Sequence, residues 1–128
     1  MEKPHKKLDV WKASIELVVA IYSVTSHFPK EELYGLSGQL RRAALSVPAN
    51  IAEGAARQTH REFTNFLQLA QGSLSELDTE LEVAKRLEYI NEQSWHHLDL
   101  EIERIDKMMS GLIRHLRSKR GDSQKSAR

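Results

Sequence analysis

Hydrophobic residues recur every three or four positions in four stretches of the chain, which is the spacing of one face of an α-helix. The first stretch runs from Val10 to Phe28, where the Phe28-Pro29 pair favours an end because the residue before a proline avoids helical backbone. The third and fourth stretches repeat in heptads, which is typical of helices packed at shallow angles. Their apolar positions are Phe63, Leu67, Ala70, Leu74, Leu77, Leu81 and Ala84, and then Trp95, Leu98, Ile102, Ile105, Met109, Leu112 and Leu116.

Helix-start signals precede three of these stretches. Asp9 and Asn91 are expected N-caps, since a short polar side chain can accept a hydrogen bond from a free amide of the first turn. Thr59 stands three residues before Glu62, the spacing of a capping box. These signals predict where the first, third and fourth helices begin.

The sequence therefore predicts an all-α protein, an antiparallel up-and-down four-helix bundle. Short connections make successive helices antiparallel neighbours, and no stretch alternates with a period of two. The predicted helices lie near residues 9–28, 35–57, 60–88 and 92–118. The expected domain boundaries are a disordered tail over 1–8, the bundle over 9–118 and a basic disordered tail over 119–128.

Composition narrows the class of protein further. A chain of 128 residues, 40% hydrophobic and 29% charged, fits one ordinary globular domain. The absence of cysteine excludes disulfides, thiolate metal sites and cysteine nucleophiles. Neither a signal peptide nor an uncharged run of about 18 residues is present. We expect a water-soluble cytoplasmic protein with no membrane partner.

Charge is concentrated at the C-terminus. The net charge is +1, yet residues 114–128 carry +5 and the remainder −4. Such a segment can bind an anionic partner such as RNA or DNA, and it is equally what an ordinary solvated C-terminus looks like. The candidate nucleic-acid-binding residues are Arg114, Arg117, Lys119, Arg120, Lys125 and Arg128.

The second predicted helix is apolar on two sides. Its core face holds Leu36, Leu40, Ala43, Ala44, Val47 and Ile51, and the opposite face holds Gly38, Leu45, Ala49, Ala52 and Ala56. A single domain covers only one of these faces, so self-association is the favoured interpretation. The alternative is an alanine-rich exposed helix, since alanine is the best helix former.

A polar stripe follows one edge of the same helix and contains Pro48. Proline removes one amide donor and clashes with the carbonyl of Ala44, so a kink is expected and the freed carbonyls need donors. The stripe consists of Arg42, Ser46, Asn50, Glu53 and Arg57, after Gln39. The first three could donate to those carbonyls, while Glu53 pairs with Arg42 or Arg57. A structural network is the favoured interpretation, and a ligand or catalytic site is the alternative.

No catalytic, metal or cofactor motif is recognisable. No histidine stands at helical spacing to activate Ser46, and no glycine-rich phosphate loop is present. The one Glu-x-x-His spacing ends at His5 in the N-terminal tail, and the adjacent His96 and His97 diverge by about 100° on a helix. The acidic residues of the third helix are expected to be solvated, with Glu76 a candidate for partial enclosure; they are Glu76, Asp78, Glu80 and Glu82. We predict no enzyme activity, cofactor or small-molecule substrate.

A specific run of residues spans the second helix. It reads Tyr34-Gly35-Leu36, Gln39-Leu40-Arg41-Arg42-Ala43-Ala44 and Ser46-Val47-Pro48-Ala49-Asn50-Ile51-Ala52-Glu53-Gly54. Matching positions elsewhere are Trp11, Phe28-Pro29, Glu62-Phe63, Phe66-Leu67, Ala70, Gly72-Ser73-Leu74 and Glu76-Leu77. In these positions, from about Leu8 to Leu116, the chain resembles the four-helix bundle proteins of the 23S ribosomal RNA intervening-sequence family.

The resemblance implies an antiparallel bundle that assembles into a ring-like homopentamer. Family members are encoded within insertions in bacterial large-subunit ribosomal RNA genes and as standalone genes. A distant relative, the accessory protein of diversity-generating retroelements, is a basic pentamer that binds nucleic acid and a reverse transcriptase. The bundle here is acidic without its tail, unlike that relative. Polar family positions with no established role are matched by Arg41, Arg42, Ser46, Asn50, Glu53 and Gly54.

The sequence thus favours a non-enzymatic oligomeric binding protein whose partner is nucleic acid, RNA above all. The alternative is a structural or protein-binding assembly factor with no nucleic-acid role.

Overall fold

The computed structural model describes the backbone of residues 3–126 and the side chains of residues 3–119. Within that range the chain is helical, without strands. Short 3-10 turns at Pro4–Lys7 and Lys30–Glu32 accompany four α-helices: α1 Asp9–Thr25, α2 Leu36–Ala55, α3 His60–Arg86 and α4 Glu92–Ser126. Each helix packs on the next in the chain, and α4 returns to α1. The antiparallel up-and-down four-helix bundle is confirmed.

Two of the three expected N-caps form. The Glu62 amide donates to the Thr59 Oγ1 at 3.1 Å, and the Thr59 hydroxyl donates to the Glu62 carboxylate at 2.9 Å. Asn91 Oδ1 accepts from the Ser94 amide at 2.7 Å. Asp9 is not a cap: Leu8 occupies that position, and Asp9 is the first residue of α1 itself.

The ends of α1 and α4 differ from the prediction. α1 stops at Thr25, because Phe28 turns back into the core and packs on the Tyr89 ring at 5.4 Å. α4 continues to Ser126, through residues expected to be a disordered tail. No proline follows in that segment to stop a helix, and a single interior glycine such as Gly121 costs only about 1 kcal/mol.

The N-terminal tail also has local structure. Residues Pro4–Lys7, expected to be disordered, form a 3-10 turn that packs against α1 and α2. The His5 ring lies edge-on to the Trp11 ring, with centroids 5.0 Å apart. This aromatic contact fixes the turn at the start of α1.

The core consists mainly of the predicted apolar positions. Both heptad seams face inward, with Phe63, Trp95 and Leu112 half-buried at their edges. The fully enclosed side chains include Ile21, Leu40, Ile51, Leu67, Leu77 and Ile105. Within the described residues, no helix is both long and apolar enough to span a bilayer.

Candidate functional site

Part of the polar stripe links α2 to α3. The Asn50 side-chain amide donates to the carbonyl of Ser46 at 2.9 Å and to its Oγ at 3.0 Å. The Ser46 hydroxyl in turn lies 2.7 Å from the Ser73 hydroxyl of α3. Both serines and Asn50 are half-buried. These three residues form one continuous hydrogen-bonded connection between the helices.

The connection does not brace Pro48 in the expected way. Pro48 deprives the carbonyl of Ala44 of its usual amide donor, whereas Asn50 donates to the carbonyl of Ser46. A side chain at position 50 can reach a carbonyl one helical turn back, which is four residues earlier. Ala44 lies six residues back, so Asn50 does not reach its carbonyl. α2 continues as a helix through Pro48.

The charged members of the stripe lie apart from this connection. Arg57 forms an ion pair with Glu53 one turn earlier, with both side chains substantially exposed, and its guanidinium also stacks over Phe66 at 4.9 Å. Arg42 is exposed. The structure therefore divides the five stripe residues into a half-buried amide-hydroxyl group, an exposed ion pair and a separate arginine.

The sequence interpretation placed two acidic residues of α3 wrongly: Glu76, the candidate for partial enclosure, is exposed, and Glu80 is buried. Glu80 was expected to be solvated, but it is only 8% exposed, and its Oε2 has no hydrogen-bond partner among the described residues. Burial, followed by the carboxylate of Glu76, raises the pKa of Glu80 to about 7, while the charge of Arg42 opposes the rise. One signal was available: Glu80 stands between Leu77 and Ala84 on the flank of the buried seam.

A second acidic region is a groove of about 390 Å³ between α3 and α4. Four carboxylates line it, from Asp78, Asp99, Glu103 and Asp106. Partial burial, and then the neighbouring charge of Asp99, raise the pKa of Asp78 above its ordinary value. No group of described residues has the arrangement of a metal site. The groove repels phosphates, so it is an unsuitable surface for nucleic acid.

Basic residues gather at one end of the bundle, which we name the basic end. There α1 and α3 begin and α2 and α4 end, because successive helices are antiparallel. Its exposed cations come from three separate parts of the chain: Lys6, Lys7, Arg61, Arg114, Arg117 and Lys119. None of them forms an ion pair with a described carboxylate. Only the α4 cations of this end were predicted from the sequence.

The predicted nucleic-acid-binding residues fall into two groups. Arg114, Arg117 and Lys119 are exposed around the last buried turn of α4, whose final buried residue in the described range is Leu116. The side chains of Arg120 and Lys125 lie outside the described part of the chain, as does Arg128 altogether. The described group alone places three positive charges at the basic end.

The outward face of α2 is partly apolar, and α1 extends it. Leu45 is 45% exposed and Ala49 is also exposed, while Val19 on α1 is 64% exposed. Tyr22 of α1 stacks with Arg41 of α2. Because the helices run in opposite directions, Val19, one turn before Tyr22, lies level with Leu45, one turn after Arg41. The two helices thus share one exposed apolar surface.

Comparison with known proteins identifies similar chains. A family model described as 23S rRNA-intervening sequence protein matches residues 6–111. A similar solved structure is that of a protein with unknown function from the S23 ribosomal protein family of Bacteroides thetaiotaomicron VPI-5482. It is 27% identical, with a TM-score of 0.73, and the match covers 81% of this chain and 97% of that one. No curated protein is detectably similar to the chain.

Proposed function

Because the chain belongs to the 23S rRNA-intervening sequence protein family, we propose that it is a non-enzymatic, oligomeric RNA-binding protein of the cytoplasm. The single observation that carries RNA binding is the basic end. Its cations come from separate segments, face solvent and lack carboxylate partners among the described residues. The exposed carboxylates Asp9 and Glu62 lie at the same end without pairing with these cations. Cations that form no ion pair are available to phosphates, which release counterions when they are bound.

The arrangement supports backbone contact rather than base readout. The exposed cations are lysines and arginines on helix ends, and the described side chains at this end include no exposed Phe, Tyr or Trp. Phosphate contacts position a nucleic acid without reading its sequence. We therefore expect single-stranded or structured RNA to bind with little sequence preference. DNA should bind no more tightly than RNA.

Self-association is the second part of the proposal. The exposed apolar surface of α1 and α2 supports it, since a second copy would remove Val19 and Leu45 from water. A pentamer follows from the family resemblance. An oligomer would also repeat the basic end, and several weak contacts then add up to useful avidity.

Light scattering on a size-exclusion column tests the assembly. We expect an oligomer mass for the full chain at tens of micromolar protein, and dissociation on Leu45→Glu. Leu100→Glu is the control, because Leu100 is exposed to a similar extent but lies on α4. A monomer mass for the unmodified chain contradicts self-association.

Titration of fluorescent RNA tests the binding. Affinity for RNA should be measurable at about 50 mM salt and should fall steeply by about 200 mM. Deletion of residues 117–128 should abolish most of this binding. No binding at low salt would favour the structural or protein-binding alternative. Full binding by the truncated chain would move the site to cations that the deletion leaves in place: Lys6, Lys7, Arg61 and Arg114 at the basic end, or Arg57 on α2.

A further inference from the structure

A cavity of about 330 Å³ opens where α1 ends and α2 begins, far from the basic end. Its walls are largely apolar and are formed by Phe28, Pro29 and Leu33. Two cations, Lys30 and Arg41, also line it. The volume falls within the range of small-molecule sites, which are mostly apolar with a few placed polar groups.

The guanidinium of Arg41 is held in one orientation. Its Nε donates to the Thr25 Oγ1 at 2.9 Å. The Thr25 hydroxyl donates to the carbonyl of Ile21 at 2.7 Å, which leaves its oxygen free to accept from Arg41. The Arg41 Cζ also lies 4.8 Å from the centre of the Tyr22 ring. A hydrogen bond and a ring contact therefore fix a side chain that is flexible on most surfaces.

Arg41 has no ion-pair partner in the described part of the chain. Its side chain is half-buried. Its Nε is occupied by Thr25, so the two terminal nitrogens are the donors that remain. Two parallel N–H donors match the two oxygens of a carboxylate. A partly desolvated guanidinium without a counter-charge favours an anionic ligand.

The apolar walls restrict which anion fits. Three hydroxyl side chains also line the cavity. A strongly hydrated ion such as inorganic phosphate would nevertheless lose water against Phe28 and Leu33, which offer it no donors. In a carboxylate attached to an apolar group, the charged end can pair with the guanidinium while the apolar group packs against the apolar walls. Lys30 at the cavity adds further attraction for a negative ligand.

We propose that this cavity binds a small organic carboxylate with an apolar body, oriented by Arg41. The site goes beyond RNA binding and uses different residues from the basic end. Separate measurements therefore test RNA binding and carboxylate binding.

Calorimetric titration of the full chain with phenylacetate, and with its uncharged analogue phenylacetamide, tests the site. We expect phenylacetate to bind at least about tenfold more tightly than the amide, the difference that one charged hydrogen-bonded pair supplies. Arg41→Gln should weaken phenylacetate binding by about the same factor. The matched control is Arg42→Gln, since Arg42 is the next residue, is exposed and does not line the cavity; it should leave binding unchanged.

Several outcomes would overturn the proposal. These are equal binding of acid and amide, unchanged binding by Arg41→Gln, competition by inorganic phosphate as effective as by phenylacetate, or no heat of binding up to about 10 mM ligand. Should Arg41→Gln fail to fold, Arg41→Lys keeps the charge but loses the paired donors. Weaker binding by a folded Arg41→Lys supports the site, and undiminished binding contradicts it.

Discussion

The backbone of Gly54 in α2 lies directly against Phe66 in α3, so that a β-carbon added at Gly54 would stand 2.7 Å from the Cβ of Phe66. The same atom would stand 2.8 Å from the Cδ1 of Phe63. Neither neighbour can move freely, because one contact is at a β-carbon and the other at a half-buried ring. The close contact of α2 with α3 at this position therefore requires glycine at position 54.

Gly54→Ala should lower the free energy of unfolding by roughly 1–3 kcal/mol, because an added methyl group forces the two helices apart. Urea denaturation followed by circular dichroism measures it. Gly72→Ala is the control: it is also inside a helix, and a β-carbon there meets no atom within 4 Å. That variant should be stabilised by about 0.5–1 kcal/mol, as alanine is the better helix former. Equal effects of the two substitutions would refute the close contact.

Glu80→Gln should make stability less dependent on pH. The folded pKa of about 7 lies above the ordinary value of 4.5. The stability due to the neutral carboxyl is therefore complete below pH 4.5 and is lost as pH rises through about 7. Glutamine stays neutral, so the variant should exceed the unmodified chain by roughly 1–3 kcal/mol at pH 8 and match it near pH 4.5.

Denaturant titrations at several pH values measure this difference. Glu16→Gln, on the exposed surface of α1, is the control and should leave the curve unchanged. The two charged neighbours that act on Glu80 are Glu76 and Arg42. If Glu80→Gln and the unmodified chain unfold alike at pH 8, burial does not hold the Glu80 carboxyl in its neutral form.

Glu53→Ala should cost no more than about 0.5 kcal/mol, the usual value of an exposed ion pair one helical turn apart. Had Glu53 formed a buried pair, the loss would be about 3–5 kcal/mol. Ser46→Ala is the contrasting variant: it removes the hydroxyl between Asn50 and Ser73 and should cost about 1–3 kcal/mol. Thermal melts rank the stability losses of the two variants. A larger loss for Glu53→Ala than for Ser46→Ala would show that the Glu53–Arg57 ion pair contributes more than an exposed pair should.

The paired substitution Lys6→Gln and Lys7→Gln should weaken RNA binding and reduce its dependence on salt. The slope of log affinity against log salt is negative, and each phosphate contact removed should make it shallower by about 0.7 to 0.9. Arg86→Gln at the opposite end is the control, where Arg86 is already paired with Glu82. Equal affinity of the lysine variant and the unmodified chain would confine RNA binding to Arg61 and the end of α4.

The sequence was sufficient for most of the fold because helix period and capping depend on nearby residues. The heptad seams of α3 and α4, the Thr59 capping box and the Asn91 cap are all local patterns, and each is found where it was predicted. The end of α1 was misplaced because Phe28 leaves the helix to meet Tyr89, 61 positions further along the chain. The extension of α4 past residue 118 was missed because charge suggested disorder while nothing in the backbone stopped the helix.

The candidate sites depended on contacts that the sequence does not encode locally. Sequence by itself determined that Arg114, Arg117 and Lys119 form a basic segment, and that α2 carries polar and apolar stripes, since spacing along one helix is enough to fix both. Only the tertiary structure added Lys6, Lys7 and Arg61 to the same end, buried Glu80, exposed the Glu53–Arg57 pair and set Arg41 against Thr25. The physical reason is that burial and electrostatic environment depend on which helix packs against which, over separations of many residues, and a helical period specifies only the face that a residue occupies on its own helix.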